Sequence, residues 1–316
     1  MLGKVAENKF VFSLKILSGL LLLLIFFQIS LGSAVRLTGS GLSCPDWPLC
    51  YGLWFPDQDK LSKISDVNFE FYQVMLEWIH RFNAAAFITP VTLLVFFVGL
   101  KATKEKINQI ILYIIILILL LQGLMGGFTV FDKNSPWSVA VHLGLALSFM
   151  FLVLKIFLVS LNIKLVSGIP CITKKISTLI GAIIIVLATM LMGAIVSKSG
   201  SSLACDIWPL CSNDGVSIFQ YNKIIHLSHR ILAIISTIFV FLIVNLYKDV
   251  VQYKIIFVLR NILISLIILQ ILIGATVIFT ELNLFIAMFH QAIAVILFIV
   301  LSFLFWFTLQ SNFKRN

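Results

Sequence analysis

The stretch Leu31–Cys50 reads LGSAVRLTGSGLSCPDWPLC, and Met192–Cys211 reads MGAIVSKSGSSLACDIWPLC. Both end in Cys-x-x-Trp-Pro-Leu-Cys, with matching Gly and Leu positions ahead of it. Three further matches follow in the same order. Glu77-Trp-Ile-His80-Arg81 pairs with His226-Leu-Ser-His229-Arg230, Gln122–Gly126 with Gln270–Gly274, and His142 with His290. The offset is 161 for the first match, 149 for the second and 148 for the last two. The drop falls inside one loop, which is therefore longer in the amino half. Matches that keep order and spacing in this way mark a duplicated unit.

The segments between these matches are apolar. Of the 316 residues, 60% are hydrophobic and 11% charged, and the mean hydropathy is +1.09. Soluble domains carry about 25% charged residues, so a water-soluble domain is excluded, and so is disorder. Eight apolar stretches are long enough to cross a bilayer as helices: 11–33, 71–100, 107–130, 139–161, 176–197, 224–246, 255–279 and 284–310. Long unbroken runs of Leu, Ile, Val and Phe argue against a β-barrel, which alternates apolar and polar residues. The first stretch is too long for a signal peptide and lacks a cleavage-like site, so it is read as a span.

The expected fold is an all-α membrane protein of eight transmembrane helices, arranged as two pseudo-symmetric four-helix bundles. The amino-terminal half covers 1–161 and the carboxy-terminal half 176–316. A cytoplasmic linker, 162–175, contains Gly168 and Pro170. The expected relation between the halves is a pseudo-two-fold axis along the membrane normal. The net charge of +10 sits at the ends of apolar runs and does not imply nucleic acid. Fifteen Lys and Arg fall on one side. Eight fall on the other: Arg36, Lys60, Lys63, Arg81, Lys133, Lys198, Lys223 and Arg230. Positive charge stays inside, so both termini are expected in the cytoplasm and the two cysteine loops outside.

Four of the five histidines hold matched positions. His80 and His142 lie near the outer ends of spans two and four. His229 and His290 repeat this on spans six and eight. Each half thus offers two imidazoles from two helices at one level, which suits a haem held edge-on with an axial ligand on each face. The plainer reading is hydrogen bonding across helices. Four matched histidines favour the haem, because ionisable groups are costly in hydrocarbon. Zinc would want further Cys or carboxylate ligands at that depth. For Arg81 and Arg230 two readings stand open, haem propionate partners or interfacial anchors. Gly126, Gly127 and Gly274 suit close helix packing, and also the approach of a flat ring.

Cys44 and Cys50 flank five residues in one outer loop, and Cys205 and Cys211 do so in the other. On an oxidising face these become disulfides Cys44–Cys50 and Cys205–Cys211 that pin a lid over each bundle. A redox role for one pair stays open, and a shared four-cysteine zinc site fits the spacing poorly. Cys171, on the reducing side, is read as a free thiol. The repeat breaks where Glu77 meets His226. Glu77 shares a helix face with His80, so its carboxyl group is placed to move a proton or stabilise a developing cation. The alternative is a surface carboxylate paired with Arg81 or Lys63. His226 is read as a neighbour of the ligand His229.

Together, Arg36-Leu-Thr-x-Ser-Gly-Leu42, Cys44–Cys50 with Trp47-Pro48, Glu77-x-x-His80-Arg81, His142, His229-Arg230 and His290 resemble the haem A synthase family over nearly the whole chain. The cysteine pairs match the bacterial members that carry them. The resemblance implies oxidation of the C8 methyl group of haem O to the formyl group of haem A, by successive hydroxylations and loss of water. It implies that His229 and His290 are axial ligands of a haem b cofactor, that His80 and His142 bind the substrate haem O, and that Glu77 is the catalytic acidic residue. It implies a bacterial inner membrane, contact with lipid, and haem O synthase or cytochrome oxidase assembly proteins as partners. A homo-oligomer is left open. Two other functions compete: a haem carrier or transporter without chemistry, which has no need of Glu77, and a disulfide-handling oxidoreductase, which leaves the four histidines unexplained.

Overall fold

The computed structural model describes residues 2–64, 67–161, 172–211, 220–250 and 253–313, with side chains from 9 to 310 within those ranges. Eight long helices dominate. They are α1 (Leu2–Leu37), α2 (Phe71–Ala102), α3 (Lys106–Phe131), α4 (Pro136–Ser160), α5 (Ile172–Lys198), α6 (Tyr221–Leu246), α7 (Lys254–Phe279) and α8 (Leu284–Phe313). Each contains a segment long and apolar enough to cross a membrane, and the chain is a multi-pass membrane protein. In hydrocarbon the backbone must satisfy its own hydrogen bonds, so runs rich in Ile and Val form helices here despite their modest propensity in water. No β-strand occurs among the described residues; one bridge joins Cys50 to Leu53.

The chain divides into two compact units, Met1–Ser160 and Leu161–Asn316. Within the first, α1 packs on α2 and α4, and α3 packs on α2 and α4, closing a ring of four helices. The second unit closes α5–α8 in the same way. Of the expected linker, residues 162–171, with Gly168, Pro170 and Cys171, lie outside the described residues. In α1 the buried stripe Leu14, Ser18, Leu21 and Ile25 follows the helical period. Ser18 hides its hydroxyl by donating to the Leu14 carbonyl at 2.6 Å.

Two details depart from a plain reading of the spans. α2 is not one regular helix, because its Ala84–Ile88 segment is a π-helix turn. Pro90 lies just beyond it. Proline has no N–H for the carbonyl four residues earlier, and its ring crowds that carbonyl. A widened turn relieves both. α6, the counterpart of α2, has no proline and runs unbroken. Secondly, three cations counted as flanking charges are buried: Lys155, Lys175 and Lys223. Lys175 places its ammonium 5.5 Å from the Tyr247 ring, a cation–π contact.

Candidate functional site

α1 and α5 end alike. Gly39 and Gly200 both take φ +71°, a left-handed value that a side chain disfavours. The turn after each is tied by a hydroxyl pair, Thr38 with Ser40 at 2.6 Å and Ser199 with Ser201 at 2.7 Å. The chain then enters the cysteine loop. Both disulfides are formed, with Cα separations of 4.6 Å for Cys44–Cys50 and 4.5 Å for Cys205–Cys211. Cys44 and Cys50 are buried in a small cluster with Leu61 and Val74. The Trp47–Pro48 and Trp208–Pro209 peptides are both cis.

The arginines hold these loops. Arg81 donates to the carbonyls of Cys44, Asp46 and Leu49 at 2.9, 2.5 and 2.6 Å. Arg230 donates to those of Cys205, Ile207 and Leu210, each at 2.9 Å, and to Pro209 at 3.1 Å. The first three carbonyls in each set are the same positions of the repeat. Clamping the loop backbone was not among the roles read from the sequence. Glu77 belongs to this clamp. It is 4% exposed and pairs with Arg81 at 2.6 Å. Its other oxygen accepts from the Cys44 N–H at 2.9 Å, with the Ser43 hydroxyl 3.1 Å away. His226, also buried, ties its own loop with the opposite polarity, donating from Nδ1 to the Ser201 carbonyl at 3.1 Å.

Below the loops stand the four imidazoles. His80 is nine residues along α2 from Phe71, and His142 six along α4 from Pro136, so both lie within about 9–14 Å of the helix ends beside the cysteine loop at 1.5 Å per residue. His229 and His290 occupy similar levels on α6 and α8. Each imidazole rests its Cε1 on a glycine of a neighbouring helix. A Cβ built on Gly32 would meet His80 at 3.0 Å, on Gly126 His142 at 3.4 Å, on Gly193 His229 at 3.1 Å, and on Gly274 His290 at 3.0 Å. Gly126 and Gly274 were read from the sequence as packing or ring-approach positions; the structure sets an imidazole edge against each. Gly32 and Gly193 were missed, although both lie in the quoted repeat.

Glutamines come next to the rings. Gln122 Nε2 lies 3.4 Å from His142 Nε2, and Gln270 Nε2 lies 3.3 Å from His290 Nε2. Gln28 Nε2 lies 3.3 Å from His80 Nε2. His229 differs, because its Nδ1 donates to the Thr189 carbonyl at 3.1 Å. Gln28 and Thr189 hold the same repeat position, as do Gly127 and Ala275. In the amino half the loop tryptophan settles on the helix: a Cβ on Gly127 would meet Trp47 at 3.1 Å.

This donor set fits a haem. Each unit supplies two imidazole nitrogen donors from helices on its own ring, α2 and α4 or α6 and α8. Nδ1 of His80, His142 and His290 is buried without a hydrogen-bond partner among the described residues, which is unusual for so polar an atom. No group of three or more His, Cys, Asp or Glu gathers as a metal site among the described residues. Tetrahedral zinc is therefore poorly served, whereas a porphyrin iron needs only two axial nitrogens.

Comparison with known proteins gives the family. Residues 15–302 match the family model described as "Cytochrome oxidase assembly protein". A protein of Geobacillus kaustophilus named "Heme A synthase" is 28% identical over 95% of this chain and 93% of its own length. Its namesake from Oceanobacillus iheyensis is 30% identical over 86% and 87%. That from Shewanella oneidensis is 28% identical over 86% and 90%. A match spanning all eight helices and both loop–histidine constellations is a match to the whole architecture, and the chain belongs to the cytochrome oxidase assembly protein family.

Proposed function

We propose that this chain is an oxidoreductase that converts the C8 methyl group of haem O into the formyl group of haem A, for use in cytochrome oxidase. The observation that carries the reading is the set of four imidazoles at matched positions, each seated on a glycine. The names of its relatives support the same activity. His229 and His290 hold a haem b cofactor, and His80 and His142 hold the substrate haem O. A bound haem b supplies one-electron chemistry at its iron.

The chain's own groups do the rest. The glycines let the imidazoles stand close to the neighbouring helices, which fixes ring position. The disulfide loops, gripped by Arg81 and Arg230, cover the outer ends of the bundles and limit water. A haem propionate would share these guanidiniums with the loop carbonyls. Glu77, one helical turn before His80, brings a negative charge to the histidine face of α2. Charge on the substrate methyl carbon becomes positive as it is oxidised, and a fixed carboxylate stabilises that change in a medium of low dielectric. The cation bias of the loops supports cytoplasmic termini, and the bacterial relatives support a bacterial inner membrane.

Pigment extraction tests the reading. The purified protein, expressed with a haem O supply, should yield haem A with haem b on chromatography. Recovery of haem b and unaltered haem O alone would instead favour a carrier.

A further inference from the structure

Three of the four imidazoles have an amide at Nε2, but in only one is its orientation fixed. Gln122 and Gln270 bury an amide oxygen that has no partner among the described residues, so either end of those amides can face the imidazole. Gln28 has no such freedom. Its Nε2 donates to the His80 carbonyl at 2.9 Å, which only an N–H can do. Its oxygen accepts from Asn83 Nδ2 at 2.7 Å. The remaining N–H therefore points to His80 Nε2, which must accept it through its lone pair. This puts the ring proton on Nδ1, the tautomer that can bind iron through Nε2.

The carboxy half sets the same tautomer from the other side. His229 gives its Nδ1–H to the Thr189 carbonyl and leaves Nε2 for a ligand. That is the usual support of a lasting metal ligand. The Asn83 position holds Leu232 there, and the Gln28 position holds Thr189, so the device has no copy.

We propose that Gln28, anchored by Asn83, is a positioning residue that competes with haem iron for His80 Nε2 and so makes ligation in the amino half readily reversible. The inference rests on the haem-binding reading above. On binding, one bond from His80 Nε2 to iron forms and one amide N–H···Nε2 hydrogen bond breaks. The ring proton stays on Nδ1, and no electrons move. Such an exchange suits a substrate that must leave as product, whereas the Thr189 arrangement suits a cofactor that stays.

The test is a haemin titration of the full-length chain in detergent, following the bis-histidine low-spin absorption band. The amino-half component is the part of the signal lost in His80→Ala. Gln28→Leu fits the apolar surroundings and should tighten that component about three- to tenfold, the net worth of one neutral hydrogen bond. Asn83→Leu frees the amide and should act in the same direction, more weakly. The carboxy-half component should not change in either variant. An unchanged or weaker amino-half affinity in Gln28→Leu overturns the proposal while leaving the haem site standing. If His80→Ala removes no component at all, the haem reading of the amino half fails and takes the proposal with it.

Discussion

Glu77 and Arg81 stand one helical turn apart, and together they join the cysteine loop to the histidine helix. Glu77→Gln keeps an oxygen for the Cys44 N–H but removes the charge. It should retain the low-spin haem signal while haem A formation falls at least about tenfold, roughly the effect of one removed charge–charge interaction in a shielded site. A near wild-type rate of haem A formation would reduce Glu77 to a loop anchor. Arg81→Leu should be worse for stability, because it leaves a buried carboxylate without its partner at a cost of about 3–5 kcal/mol. Adding Glu77→Gln to Arg81→Leu should restore part of that loss. Thermal unfolding of the three variants in detergent measures the coupling, and additive losses would show that the pair does not interact. The histidines and cysteines stood out in the sequence because residue types of costly chemistry recurred at fixed offsets, and Glu77 stood out because the repeat breaks there. The arginine clamp was not. It recognises backbone carbonyls, and no side-chain pattern announces where a carbonyl will point.

At the level of elements, apolar length alone was enough to place all eight spans within a few residues. The π turn of α2 escaped because hydropathy is blind to backbone register, although Pro90 marks the spot. The buried lysines escaped for a related reason: counting charges assigns a side of the membrane but not a depth. The loops are pinned twice, by a disulfide and by an arginine, and these supports differ in kind. A short disulfide loop contributes mainly by restricting the unfolded chain, about 2 kcal/mol for a loop this small. The clamp orients the loop in the folded state. Replacing both Cys44 and Cys50 by Ser should therefore lower the melting temperature yet leave the amino-half haem affinity within about twofold, since Arg81 still grips the same carbonyls. A collapse of haem affinity in that variant, with the fold retained by circular dichroism, would mean that the disulfide itself shapes the site.

Over the whole molecule, the two units repeat one design and then diverge at a few positions. The duplication could be read because the one large step in the offset between copies falls inside one loop. The divergence was only half legible. Glu77 against His226 was plain, but Gln28 against Thr189 and Gly127 against Ala275 carried no meaning until the structure put an imidazole or an indole beside them. These differences all lie beside the imidazoles or the loop that caps them. The amino unit has at His80 Nε2 an amide fixed by Asn83, a tryptophan laid on a glycine and a buried carboxylate. The carboxy unit has a histidine held by a backbone carbonyl and no acid at the corresponding place. A resident cofactor and a passing substrate ask for this division. His229→Ala and His290→Ala should each abolish the low-spin haem b retained through purification, because either removes one of only two axial nitrogens. His80→Ala and His142→Ala should keep that haem and make no haem A. Absorption spectra and pigment chromatography of the four variants separate the roles. If His80→Ala or His142→Ala loses the retained haem while His229→Ala and His290→Ala keep it, the units have been assigned the wrong way round, and the amide at His80 guards a cofactor instead of releasing a product.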